Sequence, residues 1–171
     1  MRHRSGDDES AGEALWRFSL ALYARPGVAQ ALIGLQDRAG RDVNLILFAL
    51  WLGAAQAHRT DRAELAVAVA AIAPLNELVA PLRRLRRRLK SDPDGEVQAL
   101  RRRVAALELA AERRVQQRLA ASLAERRPAA SADRLAAATA NLALCLDDAT
   151  DSPEANLLRR AVAALMRRGG A

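Results

Sequence analysis

Cysteine, histidine and lysine are almost absent from this 171-residue sequence, and aromatic residues are few. The only cysteine is Cys145 and the two histidines are His3 and His58. A single cysteine cannot form an internal disulfide, which excludes a disulfide-stabilised fold. So few histidine and cysteine side chains give no basis for a metal site or a Cys/His catalytic pair. We therefore predict no metal, no cofactor and no catalytic residues, and we favour a non-enzymatic protein.

Strand-forming residues are also scarce. The sequence has 40 Ala and 27 Leu, whereas Val, Ile and the aromatic residues together number 17. Strong helix formers therefore dominate, and the predicted fold class is all-α. The nine Gly and six Pro are scattered, and no glycine-rich phosphate loop occurs. We expect a single helical domain over residues 11–168, with flexible tails at 1–10 and 169–171.

Cap residues and helix breakers mark the predicted helices. Ser10 and Glu13 have the spacing of a capping box, so the first helix is expected to begin at Ser10. Gly40 is placed to end the second helix in a left-handed conformation. Asp42 precedes the run 43–52, which is apolar on nearly every face, and is expected to cap that helix. Such a helix needs neighbours all round, so we predict that it is the centre of the fold.

The second half of the chain contains the longer elements. Pro74 and Pro81 interrupt residues 60–90, which predicts two helices or one kinked helix with a break near Pro74. No breaker occurs from 96 to 125, so this is predicted to be the longest helix, pairing antiparallel with 75–90. Two shorter helices are expected at 133–147 and 153–168. The sequence thus predicts a single-domain bundle of about seven or eight helices.

The N-terminal residues and the apolar runs predict a cytoplasmic protein. The first nine residues contain no apolar stretch of the kind that a secretory signal requires. The longest apolar stretch, 43–55, is shorter than the roughly 20 residues that cross a bilayer. We therefore predict no transmembrane segment.

Positive charge is concentrated in one region. The formal net charge is +7, and residues 83–118 contain 12 basic and 5 acidic side chains, a net of +7. On a helix, Arg83, Arg86, Arg87 and Lys90 share one face, which could bind phosphates or a partner. The alternative is a solvated face whose charge is partly neutralised by Glu108 and Glu112. Because 26 of the 27 basic residues are Arg, codon bias accounts for some of this charge.

Two further groups of residues are candidate sites near the apolar helix. Asp42 and Asn44 could form a polar core site, although a helix cap and an internally bonded asparagine are the simpler alternative. All the aromatic residues occur in the first 51 positions and are expected to form one core cluster. They are Trp16, Phe18, Tyr23, Phe48 and Trp51.

An acidic segment near the C-terminus has some features of a magnesium site. Asp147, Asp148 and Asp151 supply oxygen ligands at close spacing. The sequence has no second acidic motif of this kind, and Ser152 and Pro153 begin a new helix directly afterwards. We therefore interpret the segment as an acidic turn between helices.

Three segments resemble a known family. They are a Leu-Trp-x-Phe-Ser-Leu segment from Leu15 that continues to Val28, an Asp-Val-Asn-Leu-x-Leu-Phe-x-x-Trp segment from Asp42, and the segment from Pro81 to Lys90. Over about residues 15–125 the chain resembles short, uncharacterised, all-helical proteobacterial proteins. The resemblance implies a bacterial cytoplasmic helical protein and carries no established activity.

Three functions remain open from the sequence. The first is a non-catalytic protein-interaction or adaptor module, with an unknown protein or a second copy of itself as partner. The second is nucleic-acid binding through the basic surface of residues 83–118. The third is a small-molecule or enzymatic site near Asp42 and Asn44.

Overall fold

The computed structural model describes residues 5–123 and 133–168, with side chains from Ala11 onward. Its seven α-helices are α1 (Ser5–Tyr23), α2 (Val28–Ala39), α3 (Val43–Ala54), α4 (Arg62–Arg88), α5 (Gly95–Ser122), α6 (Arg134–Leu146) and α7 (Pro153–Arg168). Short 3-10 turns follow α4 at Leu89–Ser91 and α6 at Asp147–Ala149. Neither described range contains a strand, so the all-α prediction is confirmed.

Helix α3 is the centre of the fold. Asp42 Oδ1 accepts hydrogen bonds from the backbone N–H groups of Asn44 and Leu45 at 2.8 and 3.1 Å, which confirms the predicted cap. Eleven of the twelve residues of α3 are buried, Leu45 being the exception. A helix that is apolar on every side must be enclosed by others, and α3 accordingly lies between two groups of core side chains.

The two core groups are on different sides of α3. The first joins α3 mainly to α2, α6 and α7 and also includes Leu22 of α1 and Leu65 of α4, while the second joins it to α1, α4 and α5. Representative buried side chains are Leu32, Leu47, Leu142 and Leu158 in the first group, and Leu15, Phe48, Ile72 and Leu119 in the second. At Gly53 the backbones of α3 and α6 are so close that a Cβ would lie 2.1 Å from the backbone nitrogen of Ala138. Only glycine fits there.

The predicted start of α1 is wrong, since the helix begins at Ser5 and Ser10 lies inside it. A capping box marks where a helix can begin, but the acidic residues at 7–9 are also favourable in a first helical turn. Residues 1–4, 124–132 and 169–171 lie outside the described residues. The flexibility of the tails stays a prediction.

Helix α4 is continuous through Pro74 and Pro81, so the two-helix alternative is wrong and the single-helix alternative holds. Each proline leaves the carbonyl group four residues earlier without its helical donor. Pro74 and Pro81 are seven residues apart, which places them on the same side of the helix, and both are exposed. Water can therefore bind the freed carbonyl groups, and the helix does not need to end.

Helices α4 and α5 form an antiparallel hairpin, and α5 is the longest helix at 28 residues, as predicted. The apolar residues that recur every three or four positions along α5 are buried only in part. Val104, Val115 and Leu119 are buried, whereas Leu100 and Leu107 are 48% and 60% exposed. The hairpin thus has an inner side facing the other helices and an outer side facing solvent.

One described helix has the length and composition to cross a membrane. It is the segment Arg62–Ser91, whose most apolar 18-residue window has a mean hydropathy of 1.8. A single helix of this kind is weak evidence for a membrane span, because core helices meet the same criterion. The described residues therefore contain no clear transmembrane segment.

Candidate anion-binding pocket

A cluster of ion pairs joins α4 to α5 on the inner side of the hairpin. Glu108, which is 5% exposed, accepts hydrogen bonds from Arg83 Nε at 3.1 Å and from Nε and Nη2 of Arg86. Arg83 also donates through Nη2 to Glu112 at 2.6 Å. Glu108 and Glu112 are one turn apart on α5, as expected for side chains on the same face. They neutralise part of the basic cluster, in agreement with one alternative drawn from the sequence.

The two carboxylates have opposite pKa shifts. Desolvation alone would raise the pKa of Glu108, but hydrogen bonds from Arg86 and Arg83 outweigh it, so that the pKa is lowered. Glu112 has only Arg83 as a hydrogen-bond donor and lies near the charge of Glu108, so desolvation dominates and raises its pKa. For Arg83 the carboxylate hydrogen bonds outweigh desolvation and raise the pKa. Glu108 is therefore the firmly ionised partner of both arginines.

These ion pairs form one wall of a pocket of about 500 Å³ between α2, α4, α5 and the end of α1. Five cationic and three acidic side chains line it, together with neutral groups that include Tyr23 and Gln36. The charged lining residues are Arg83, Arg86, Arg87, Lys90, Arg101, Asp37, Glu108 and Glu112. All four basic residues chosen from the sequence, Arg83, Arg86, Arg87 and Lys90, are thus brought together at this pocket.

Two of the five cations differ from the rest. Arg87 Nη2 lies 2.9 Å from Asp37 Oδ1, so that it is paired like Arg83 and Arg86. Lys90 and Arg101 have no ion pair or hydrogen bond within the described residues, and Arg101 Nε is buried without an acceptor. The pocket therefore contains two cations that are not neutralised by the side chains around them.

Tyr23 lies at the other end of the pocket. As a whole residue it is 39% exposed, yet desolvation at the pocket wall raises the pKa of its hydroxyl to about 12. The nearby charge of Glu112 adds to this shift and that of Arg83 opposes it. Tyr23 therefore stays protonated at neutral pH and is available as a hydrogen-bond donor.

The candidate polar site at Asp42 and Asn44 adjoins this pocket. Both residues line a second cavity of about 260 Å³, which shares Gln36 and Arg83 with the larger pocket. Asp42 Oδ2 accepts a hydrogen bond from Asn76 Nδ2 at 2.7 Å, while its other oxygen caps α3. The two groups of polar residues chosen separately from the sequence thus lie next to each other in the fold.

Asn44 has an internal partner. Its side-chain oxygen accepts a hydrogen bond from Gln116 Nε2 at 3.0 Å, and Ser19 Oγ donates to Gln116 Oε1 at 3.1 Å. Ser19, Asn44 and Gln116 are all buried. This chain of hydrogen bonds links α1, α3 and α5, so the oxygen of Asn44 already has a structural role.

The five aromatic residues do not form one cluster, which corrects the prediction. Phe48 and Trp51 stack with ring centroids 6.1 Å apart, and Phe18 packs against the same core. Trp16 instead lies under Arg113, whose guanidinium carbon is 5.8 Å from the ring centroid. Trp16 and Tyr23 project from sides of α1 that do not face the core. Their closeness to Phe18 in sequence does not show which side of the helix each occupies.

Two other candidate groups have structural partners. Burial raises the pKa of the Cys145 thiol to about 12, with Asp147 and Asp42 adding to the shift and Arg41 opposing it. Asp148 Oδ1 lies 2.6 Å from Arg41 Nη2, and Asp147 lies between Arg41 and Arg62 at 3.3 and 3.4 Å. The described residues contain no group of side chains arranged to hold a metal ion.

Sequence reasoning missed several polar residues that shape the region. Arg101, Gln36 and Asn76 carried no motif, because only the fold brings them next to the other residues of the two cavities. The same holds for Asn141, which is fully buried and bonds the backbone of His58, Ala49 and Thr60 at 2.9 to 3.1 Å. An isolated amide in an apolar helix was the only available signal.

The fold and the pocket define an all-α protein with a charged cleft between α2, α4 and α5. Residues 14–119 match the family described as "Protein of unknown function (DUF2390)". Because this range covers more than half of the chain, the chain belongs to that family, and the prediction of an uncharacterised family is confirmed. No curated protein and no solved structure matches the chain. All lining residues of the pocket fall inside the matched range, whereas α6 and α7 lie outside it.

Proposed function

We propose that this chain is a non-catalytic binding protein in which the pocket between α2, α4 and α5 takes a small anionic molecule. The observation that carries the proposal is the pair of unpartnered cations, Lys90 and Arg101. A buried N–H group without an acceptor, such as Arg101 Nε, costs about 1–3 kcal/mol, which an anionic ligand would recover. A phosphate or carboxylate is the natural acceptor for guanidinium and ammonium groups.

The remaining charges of the pocket support a ligand with a polar body as well as an anionic group. Arg101 and Glu112 are eleven residues apart on α5, which places them about 16 Å apart along the helix. The cationic end is therefore separate from the end formed by Glu112 and Tyr23, where a hydroxyl or amino group could be bound. A volume of about 500 Å³ is in the usual range for small-molecule sites. A phosphorylated polyol or a hydroxy acid has this chemistry.

The nucleic-acid alternative is less well supported. Arg83, Arg86 and Arg87 are held in ion pairs with carboxylates of α5 and α2, which lowers their contribution to phosphate binding along a nucleic-acid backbone. The cytoplasmic location and bacterial origin inferred from the sequence stay predictions. The interaction-module hypothesis drew on the same basic residues, Arg83, Arg86, Arg87 and Lys90, and stays a prediction.

Isothermal titration calorimetry with glycerol phosphate and with citrate tests the proposal and separates the phosphate from the carboxylate class. The double variant Lys90→Gln/Arg101→Gln should weaken binding of the preferred probe at least tenfold. The matched control is Arg102→Gln/Arg103→Gln, which removes the same charge from exposed positions of α5. It should change the affinity less than twofold.

Three results would overturn the proposal. The first is that neither probe binds. The second is that the two double variants lose affinity equally, because binding would then reflect net charge alone. The third is that a DNA duplex binds more tightly than either probe, with a steep salt dependence that is reduced by Arg102→Gln/Arg103→Gln. That third result would favour the nucleic-acid alternative.

A further inference from the structure

An apolar stripe runs along the solvent side of α4. Its members are spaced alternately by four and three residues, which is the spacing of the seam in a helical coiled coil. They are Val67, Ala71, Pro74, Leu78, Pro81 and Leu85. Val67, Leu78 and Leu85 are 40%, 60% and 42% exposed. The stripe is separate from the core-facing residues of the same helix, such as Ile72 and Val79.

This stripe lies on the outer side of the hairpin, away from the pocket. At 3.6 residues per turn, Leu78 and Leu85 are about 140–160° around the helix from Arg83, which faces the pocket. Leu100 and Leu107 of α5 are also exposed. Around the axis of α5 they lie about 80–100° from the pocket residue Glu108, in the direction of α4. The four leucines therefore form one outer face that shares no residue with the pocket lining.

The amount of uncovered apolar surface is unusual for a helix of this composition. In the most apolar 18-residue window of α4, 22% of the residues are buried, although the mean hydropathy is 1.8. Contiguous exposed apolar surface is typical of sites that bind another protein. The charged side chains beside the stripe indicate which protein would bind there.

Glu77, Arg84 and Arg88 lie along one flank of the stripe, and none of them has a partner within the described residues. In a pair of α4 helices related by a two-fold axis and running antiparallel, the same flank of both copies comes together. With the axis near Pro81, Glu77 of one copy faces Arg84 and Arg88 of the other. A parallel pair would place Glu77 against the opposite, uncharged flank.

We propose that the outer face of the α4–α5 hairpin binds a second copy of this chain, with the two α4 helices antiparallel. The apolar stripe is self-complementary, as an interface with two-fold symmetry requires. The charge order along α4 specifies the antiparallel direction. The pocket remains open in such a dimer because it lies on the inner side.

Sedimentation equilibrium of the full chain tests this arrangement. The wild type should have twice the monomer mass of 18.5 kDa. The double variant Leu78→Glu/Leu85→Glu should weaken dimerisation at least 100-fold. Leu109→Glu is the control, because Leu109 is 53% exposed but lies about 160° around α5 from Leu107. It should remain dimeric.

A charge exchange tests the antiparallel direction without removing apolar surface. Glu77→Arg alone should weaken the dimer, and so should Arg84→Glu/Arg88→Glu. Combining all three substitutions should restore the wild-type affinity, because the exchanged charges again face each other. A rescue of this kind is not expected from residues that only support the monomer fold.

Several outcomes would overturn the inference. One is a wild type that is monomeric at all concentrations, and another is a dimer that persists in Leu78→Glu/Leu85→Glu. Loss of the dimer in Leu109→Glu, or no recovery in the triple charge variant, would also contradict it. So would a monomer that binds vesicles of anionic phospholipid through these leucines, since the face would then serve a membrane surface.

Discussion

Helices α3 and α4 are both strongly apolar in sequence, yet they have opposite surroundings. All residues of α3 except Leu45 are buried, because helices pack on every side of it. Helix α4 packs mainly against α5, and its outer side faces solvent. Hydropathy therefore does not determine burial by itself, since the number of neighbouring helices decides how much apolar surface is covered. The apolar surface left over on α4 indicates where a partner can bind.

The largest expected difference is between the truncation of a buried side chain in α3 and that of an exposed side chain in α4. Phe48→Ala in α3 should lower the free energy of unfolding by about 4 kcal/mol, because the ring is fully buried and leaves a cavity. Leu78→Ala in α4 should change it by about 0.5 kcal/mol or less, because the side chain is 60% exposed. Urea denaturation followed by circular dichroism, at a concentration where the protein is monomeric, measures both. Equal losses would contradict the comparison.

The close contact of α3 with α6 provides a second test. Gly53→Ala should cost about 3 kcal/mol, because the added methyl group would overlap the backbone of Ala138 and force the helices apart. Gly95→Ala is the matched control, since no atom lies within 4 Å of the position of its Cβ. It should be neutral or slightly stabilising. Denaturation midpoints for the two variants would show whether the enclosure of α3 depends on Gly53.

Ion pairs hold the inner side of α4, so their removal should loosen the hairpin. Glu108→Gln should cost about 2 kcal/mol, because hydrogen bonds from two charged donors are weakened. Glu112→Gln should cost little or nothing, because that carboxylate has one donor, is partly exposed, and loses more by desolvation than its contact with Arg83 returns. Thermal denaturation at neutral pH compares the two. A larger loss for Glu112→Gln would contradict the assignment of Glu108 as the main partner.

The same two carboxylates predict opposite pH dependences. The pKa of Glu108 is lowered on folding, so its stabilisation is present above the unfolded value of about 4.3 and is lost as pH falls through the folded pKa. The pKa of Glu112 is raised, so its ionisation opposes folding as pH rises from about 4.3 through the folded pKa. Glu112→Gln should therefore make stability rise more steeply with pH over the range in which the two carboxyl groups titrate. Glu108→Gln should remove that rise.

The smallest effect concerns the reactivity of Cys145, which packs against α3. Cys145 is 9% exposed as a whole residue, the pKa of its thiol is raised to about 12, and Sγ lies 3.9 Å from the carbonyl oxygen of Leu45. The native protein should therefore react very slowly with a thiol reagent near pH 8, and fully once unfolded in urea. Fast reaction of the native state would show that the α3–α6 contact opens readily.

Much of the fold could be predicted from short-range patterns. The cap at Asp42, the left-handed Gly40, the enclosed α3 and the long α5 all depend on residues within a few positions of one another. The continuity of α4 could not be predicted in this way, because it depends on both prolines facing solvent. Burial along α5 could not be predicted either, because the spacing of Leu100 and Leu107 does not reveal how many helices surround them.

The candidate site was only partly predictable. The clustered arginines and the polar pair of Asp42 and Asn44 were visible in the sequence, but their proximity depends on how α3 packs beside α4 and α5. Arg101 gave no sequence signal, since its importance comes from a buried Nε without an acceptor. Charge clusters in sequence thus identify residues, whereas the fold determines which of them remain unpaired.

An NMR titration of ¹⁵N-labelled protein with glycerol phosphate or citrate tests the proposed pocket most directly. At about 0.15 M salt, long-range surface electrostatics are largely screened. The account predicts saturable shifts of the Arg101 Nε–H signal and of backbone signals near Lys90 and Gln36, with little change at Arg102 and Arg103. Shifts that spread over the exposed arginines of α5 without saturating, or no shift at Arg101, would contradict it.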